Sequence, residues 1–234
     1  MKLKAELIIS INGKEVYKGR SKSFVANFAK LLLGILSAPG YWPYYGLTAL
    51  ASATVTLPSG SATTVPTEFY NAANAGYGGG TPLAINAPDN EPSYGIVVGS
   101  GSTPVSPTDY NLASQIPHGT EAGQLDYDPH AITSSYSDTS SYVEIARSFV
   151  NRSGSDIIIR EVGIIGRNFW RDSGEVRRDA KFLIARDVLP TPILVPNLAT
   201  LTVRYRISMS IRVTVRVSLS DTVDITDTLT YTLT

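Results

Sequence analysis

The sequence predicts an all-β fold: an antiparallel β-sandwich with one N-terminal α-helix, a long Gly/Tyr-rich insertion and an extended C-terminal β-strand. Several segments alternate apolar and polar residues, which is the period of a half-buried strand, and only one segment has helical spacing. Short turns join the strands, which favours antiparallel pairing. We therefore expect a single β-sandwich domain over residues 1–234, with residues 40–94 as a loop-rich insertion or arm and residues 201–234 as an extended C-terminal strand or hairpin.

The first 40 residues predict a hairpin followed by a helix. Apolar residues alternate over residues 3–11, and Asn12-Gly13 is a strong hairpin signal because both residues tolerate positive φ. Residues 15–19 then predict the return strand. Apolar side chains at helical spacing over residues 24–36 predict a helix, which ends before Pro39-Gly40.

The middle of the chain predicts mostly loops. Residues 40–94 are rich in Gly, Pro, Ala, Ser, Thr and Tyr, with one short strand expected at 54–57. A long stretch without regular structure is uncommon in a compact domain and is usually functional or disordered. Its aromatic residues favour docking on a neighbouring subunit, because disordered segments contain few of them. Residues 95–98 predict a buried strand, and residues 119–140 predict a loop.

The second half predicts a series of strands. Strands are expected at residues 142–149, 156–165 and 182–189, and the last is expected to end at Pro190 and Pro192. From residue 201 to residue 219 every odd position is apolar, and every even position is Thr, Ser or Arg. Extended, this segment would reach about 60 Å, whereas ordinary strands have about five or six residues. It must therefore bend, form a long hairpin or leave its own subunit.

Composition excludes several functional classes. The chain has no cysteine, which excludes disulfides, thiolate metal sites and cysteine catalysis. Its formal net charge is zero, so no nucleic acid is expected as a partner. The apolar residues 31–36 are too few to span a membrane, and the N-terminus shows no cleaved-signal pattern, so no membrane insertion is expected.

The composition also suggests a thermophilic source, because the chain contains few Met and Gln and more Arg than Lys.

Charge is distributed unevenly along the chain. Residues 1–30 carry seven basic and two acidic side chains, and residues 31–146 carry nine acidic and no basic ones. Residues 147–234 carry thirteen basic and nine acidic side chains. A long acidic segment either keeps a polar insertion solvated or meets a basic surface on a neighbour.

No catalytic motif is present. His118 and His130 lack metalloprotease spacing, and Gly99-Ser100-Gly101 is not followed by a helix that could complete a phosphate site. We therefore predict no enzyme activity, no catalytic residue, no cofactor and no metal site. Asp126 and Asp128 with His130 could hold a hard cation through oxygen ligands, the alternative being a solvated acidic loop. Glu161 lies in an apolar strand, and Arg147 or Arg160 is its expected ion-pair partner.

Three groups of segments carry a family resemblance. They are SFVANF at residues 23–28, GIVVGSG at 95–101 with DYNL at 109–112, and RSFVNRSG at 147–154 with REVG at 160–163. Together they resemble a group of small β-rich virion proteins, of tail, fibre or neck type, from tailed phages and archaeal viruses. The resemblance covers about residues 1–36 and 95–210 and implies no functional residues. Residues 40–94 and 211–234 depart from the pattern.

These observations predict a virion structural protein that self-assembles as a homo-oligomer, as a capsid, tail or fibre component. Its partners would be other copies and other virion proteins, joined by β-strand pairing between subunits. The alternatives are a host-surface or glycan-binding fibre or adhesin module, and an extracellular or cell-surface filament subunit. The predicted subunit interface comprises Tyr41, Trp42, Tyr44, Tyr45, Tyr77, Ile211, Val213, Val215, Val217 and Leu219.

Overall fold

The computed structural model describes residues 2–21, 23–36, 52–67, 81–137, 140–171 and 176–210. Within these ranges the chain is mostly β, with antiparallel sheets and one helix, as predicted. The helix is α1 (Ala26–Leu36), and it lies between β2 and β3 in the sequence. The strands are β1 (Lys2–Ile11), β2 (Lys14–Ser21), β3 (Ser52–Thr56), β4 (Ala62–Pro66), β5 (Thr81–Ala84), β6 (Gly95–Gly99), β7 (Asp126–Tyr136), β8 (Ser140–Val150), β9 (Ile157–Arg171), β10 (Arg177–Val195) and β11 (Thr200–Ser210).

The five-stranded sheet, here called sheet A, has the order β2-β1-β11-β8-β7. The last described strand, β11, lies at its centre and pairs with β1 on one side and β8 on the other. Leu201, Val203 and Tyr205 are fully buried, and the alternate residues are partly exposed. The apolar alternation therefore does mark a strand over residues 201–210, because one face of β11 covers the core.

The second sheet, here called sheet B, has the order β10-β9-β5, and β6 pairs with the same edge of β9 as β5 does. Strand β9 is buried over most of its length, in agreement with its run of Ile and Val. Gly163 of β9 lets a neighbouring loop approach closely, since a Cβ there would lie 2.5 Å from Leu112 Cδ1. Buried apolar residues of both sheets belong to one core cluster.

Two predictions about strands are wrong. Residues 119–140 were expected to form a loop, but β7 occupies Asp126–Tyr136. Its outer half, residues 131–136, is exposed throughout, and Ser134 stands between Ile132 and Tyr136, so it lacks the regular apolar alternation that marks a half-buried strand. Strand β10 does not end at Pro190 and Pro192 but continues to Val195. A shift in register between Val188 and Ile193 accommodates the prolines, and β10 borders the sheet, where a missing N–H is tolerated.

Residues 52–67 of the predicted insertion pack against the helix. Strands β3 and β4 form a hairpin, of which only the first strand was expected, and Val55 and Val65 are buried. The Asn27 side chain of α1 donates from Nδ2 to Thr56 O (2.9 Å) and accepts from Thr56 N at Oδ1 (2.8 Å). This buried amide therefore pairs with β3 as a neighbouring strand would.

Replacing Asn27 by Ala should loosen this hairpin. Both backbone groups of Thr56 would lose their partner, and an unsatisfied buried polar group costs about 1–3 kcal/mol. We expect the free energy of unfolding in urea to fall by that amount and amide exchange in β3 to accelerate. Lys30→Ala on the exposed side of the same helix is the control. Equal effects of the two substitutions would contradict this role.

Candidate functional site

The predicted interface residues lie outside the described part of the chain. This holds for all of Tyr41, Trp42, Tyr44, Tyr45, Tyr77, Ile211, Val213, Val215, Val217 and Leu219. They therefore stay predictions. The described residues instead bring together buried charged side chains at three places, and these clusters are the candidate site.

The first cluster is an ion-pair network on sheet B. Arg186 of β10 donates from Nε to Glu161 Oε2 (2.8 Å) and from Nη1 to Asp109 Oδ2 (2.8 Å). Its Nη2 donates to Thr103 O (2.9 Å). Burial alone would lower the pKa of Arg186, but the hydrogen bonds to Asp109 and Glu161 raise it overall. The prediction that Glu161 pairs with Arg147 or Arg160 is wrong, because Arg186 binds it diagonally from the neighbouring strand β10, where Arg186 is opposite Gly163 and Val188 is opposite Glu161.

Glu161 also fixes the loop that follows β6. Its carboxylate accepts hydrogen bonds from the backbone N–H groups of Gly101 (3.2 Å), Ala113 (3.1 Å) and Ser114 (2.7 Å). Gly99 is required for this close approach, since a Cβ there would lie 2.6 Å from Glu161 Oε1. The segment Gly99-Ser100-Gly101 thus surrounds an internal carboxylate.

The second cluster centres on Arg147 of β8, which is 1% exposed. Its guanidinium faces carbonyl oxygens rather than a carboxylate, and its pKa is lowered to about 10, mainly by burial. It also lies over the Tyr127 ring, 4.7 Å from the centroid. The accepting carbonyls are those of Asp128 (2.8 Å), Tyr94 (3.4 Å), Ile96 (3.1 Å), Pro88 (3.3 Å) and Glu91 (2.9 Å).

His130 lies beside Arg147 and is held as a neutral ring. Its Nε2 accepts from Ile96 N (2.7 Å), which leaves the proton on Nδ1, 3.2 Å from Ala87 O. Burial, followed by the charge of Arg147, lowers the pKa of His130 to about 4. Both ring nitrogens are therefore used within the fold.

These contacts bear on the cation hypothesis. The lone pair of His130 is already occupied, and Asp126 forms an ion pair with Arg152. Burial, followed by the charges of Asp126 and Asp89, raises the pKa of Asp128. Among the residues that the structure describes, no group of three or more His, Asp or Glu side chains could hold a metal ion.

The third cluster joins the two sheets. Asp187 of β10 accepts hydrogen bonds from Ser21 Oγ of β2 (2.7 Å) and from Tyr205 Oη of β11 (3.0 Å). Burial, followed by the charge of Asp187, raises the pKa of Tyr205 well above its ordinary value. The carboxylate is thus satisfied by hydroxyl groups of two strands of sheet A.

Sequence reasoning missed Asp187 and the carbonyl-binding role of Arg147, although a signal was present. Arg147 occupies the apolar phase of β8, between Ile145 and Phe149, and Asp187 occupies the same phase as Ala185 and Leu189 in β10. A charged residue in the buried phase of a strand must find partners inside the protein. This pattern also marked Glu161, but it does not identify the partner.

The clusters act chemically as structural clamps. Each charged group that they contain is hydrogen-bonded to backbone or to side chains of the same chain. A surface depression of about 370 Å³ contains none of their residues and is lined by Leu57, Thr63, Trp170, Arg178, Asp179 and Ala180. Within the described ranges, no helix has the length and apolar character needed to cross a membrane.

Replacing Glu161 by Ala should destabilise the chain strongly. The substitution leaves the buried Arg186 without one carboxylate and three backbone N–H groups without an acceptor, so we expect a loss of about 3–5 kcal/mol. Glu144→Ala is a matched control, because Glu144 binds Arg206 Nε at 2.9 Å but this pair is partly exposed. It should cost about 1 kcal/mol or less. Similar losses in urea unfolding would show that Glu161 is no clamp.

Stability should also depend on pH through His130. In the unfolded chain this ring titrates near its ordinary pKa of 6.5, whereas in the folded chain its pKa is about 4. The unfolded chain binds more protons between these values, so the free energy of unfolding falls as the pH drops from 6.5 to 4. The total loss should be up to about 3 kcal/mol.

Urea titrations from neutral pH down to about pH 4 measure this loss. In the His130→Gln variant this part of the pH dependence should disappear. The control is His118→Gln, which removes the other histidine. An equal flattening by both substitutions, or none by His130→Gln, would contradict the assignment.

Comparisons of the chain with protein-family models, with curated proteins and with solved structures found no match.

Proposed function

We propose that this chain is a non-enzymatic structural subunit of a virus particle that self-assembles as a homo-oligomer through β-strand pairing between subunits. The observation that supports this most is the sequence pattern that follows the described part of β11. Strand β11 is described to Ser210, whereas the apolar alternation continues in the sequence to residue 219.

Ser210, the last described residue of β11, pairs with Ser140 of β8 and with Lys2 of β1. The chain enters β8 from β7 through a connection of only three residues, 137–139. A strand that continued straight beyond Ser210 would therefore have no β8 beside it. An alternating segment in that position needs backbone partners from elsewhere, which a second subunit can supply.

This geometry limits the proposed strand exchange to the end of the chain. Residues 200–210 have both edges paired within their own sheet, so they are not available to a neighbour. The exchanged segment is thus proposed to lie within residues 211–234. Because residues 211–219 keep the parity of β11, their apolar side chains would form one continuous face.

The buried clusters support a structural role. Their charged groups are saturated by contacts that hold loops in place, as in the network of Glu161 and Arg186. We also propose that sheets A and B pack face to face as a β-sandwich. This is supported by Arg147 of sheet A, which reaches Ile96 O of sheet B, and by Tyr205, which reaches Asp187.

The virus particle is proposed as the location because of the resemblance over residues 1–36 and 95–210. It is compatible with a chain without cysteine, since assembly can stabilise an extracellular structure where disulfides are absent. Capsid, tail and fibre positions are all built from repeated copies of one chain.

Removing residues 211–234 should abolish assembly without unfolding the protein. The chain that ends at Ser210 keeps all described strands, so its circular dichroism should remain that of a β protein. Light scattering should show large assemblies for the full chain and monomers for the truncated one. A truncated chain that assembled to the same size would contradict the proposed strand exchange.

Paired substitutions test the same segment with equal added charge. Val213→Lys with Val217→Lys places two lysines in the apolar phase, and Thr214→Lys with Ser218→Lys places them in the polar phase. A buried Val contributes about 1.5–3 kcal/mol, so the first pair should weaken association at least about 100-fold. The second pair should have a much smaller effect. Equal effects would show that charge alone weakens association.

A further inference from the structure

Most outer strand edges of the two sheets are covered or charged. On β10, Arg186 N donates to Ser23 O (3.0 Å) and Val25 N donates to Ile184 O (3.1 Å). On β6, Val98 O accepts from Ile116 N (2.9 Å). The edge strand β2 of sheet A is protected by charge instead, since it carries Lys14, Glu15, Lys18 and Arg20. Such coverage and charge prevent uncontrolled pairing with other chains.

Strand β7 differs between its two halves. Its first half is covered, since Tyr127 O accepts from Asn90 N (2.9 Å) and His130 N donates to Ala87 O (3.1 Å). Residues 131–136 are all exposed, and no described residue hydrogen-bonds to their outer backbone groups. Their sequence, AITSSY, contains no charge and no proline. Within the described part of the chain, the usual devices that protect a strand edge are therefore missing from this half of β7.

The register shows which groups of this edge are available. Backbone groups of alternate residues point to the same side of a strand, and the N–H of His130 points outward. The N–H and C=O groups of Ile132, Ser134 and Tyr136 thus also point outward. Ile132 is 43% exposed and Tyr136 is 88% exposed, and both side chains lie on the core-facing side of sheet A, opposite Ile145 and Ser141.

We infer that residues 131–136 of β7 accept residues 211–219 of a second copy as an added antiparallel strand. The inference rests on the proposed function and names the surface at which strand exchange takes place. The incoming strand would pair with the outward backbone groups of β7. Its odd-numbered apolar side chains would pack over Ile132 and Tyr136, which are otherwise exposed.

The overall charge of the two segments is compatible with the same occupant. The accepting strand lies within residues 31–146, which contain acidic but no basic side chains, whereas the donated segment carries Arg212 and Arg216 in its polar phase. Glu144, opposite Thr133, is already paired with Arg206, so these arginines would need no single carboxylate of sheet A.

A second copy fits better than the chain's own end. Strands β7 and β11 run in the same direction because both are antiparallel to β8. The chain's own residues 211–219 would have to reverse direction at once to lie antiparallel on β7. Residues 207–217 contain no Gly, Pro, Asn or Asp, so the sequence encodes no turn there.

Disulfide trapping tests the contact directly, because the chain has no cysteine of its own. Ser134→Cys in one full-length chain is mixed under oxidising conditions with Val213→Cys, Val215→Cys or Val217→Cys in another, which covers neighbouring registers. We expect a mixed dimer by mass spectrometry for at least one pair. The control is Val16→Cys, which lies on the opposite edge strand of sheet A and is 48% exposed before substitution. It should give no mixed dimer.

Two edge-blocking variants provide an independent readout. Ile132→Lys adds a charge where the apolar side chains of the incoming strand would pack, and Ser134→Pro removes an outward N–H without breaking the β7–β8 ladder. Both should reduce assembly at least 10-fold by light scattering, whereas Val16→Lys should assemble as the unaltered chain does.

The outcomes separate this inference from the proposed function. If the unaltered chain assembles but the blocking variants assemble equally well and no mixed dimer forms, β7 is not the acceptor, and the proposed function stands. If the unaltered chain stays monomeric at every concentration, both fail. If a Ser134→Cys/Val215→Cys double variant forms only an internal disulfide, the chain covers its own edge, and the second copy is excluded as occupant.

Discussion

The burial of charged groups is the constraint on which the rest of this structure depends. An ionised side chain inside a protein is tolerated only where hydrogen bonds replace its water. Arg147 meets this condition by collecting carbonyl oxygens from the segment between β5 and β6 and from β7, and Glu161 meets it by collecting N–H groups from the loop after β6. Long connections without regular structure are thereby fixed against the two sheets. The charges define the conformation of loops that apolar packing alone would leave unspecified.

The positions of these loops determine which strand edges of the two sheets are covered. Residues 87–90, which precede β6, cover the first half of β7. The loop whose N–H groups are bound by Glu161 covers the outer edge of β6. Coverage of β7 stops at His130, whose neutral ring bridges Ala87 and Ile96. Beyond it the strand is exposed and uncharged. Among the described residues, the clamps that stabilise the fold therefore leave the second half of β7 without an edge partner, which suits the pairing proposed for it.

Much of the fold could be predicted from the sequence, because strands with one buried face produce an alternating pattern. This was sufficient for β1, β8 and β11 and for the helix. The alternating pattern did not predict the outer half of β7, where both faces are exposed. It also did not predict the end of β10, because the prolines of that strand lie at a sheet edge. Strand order could not be predicted, since the position of β11 between β1 and β8 depends on contacts distant in sequence.

For the candidate site, a charged residue in the apolar phase of a strand signals burial, as for Glu161, but the arginine that pairs with it depends on the register of the neighbouring strand. The predicted aromatic interface residues of 41–45 and 77 lie outside the described residues and stay predictions.

Electron cryomicroscopy of the purified full-length chain tests the central claim most directly, because an image of an assembly shows which strands of neighbouring subunits pair. We expect rings, tubes or filaments of identical subunits, in which a strand from one copy lies along residues 131–136 of the next. A population of single subunits at all concentrations, or an assembly whose contacts leave both residues 131–136 and residues 211–219 exposed, would contradict the account.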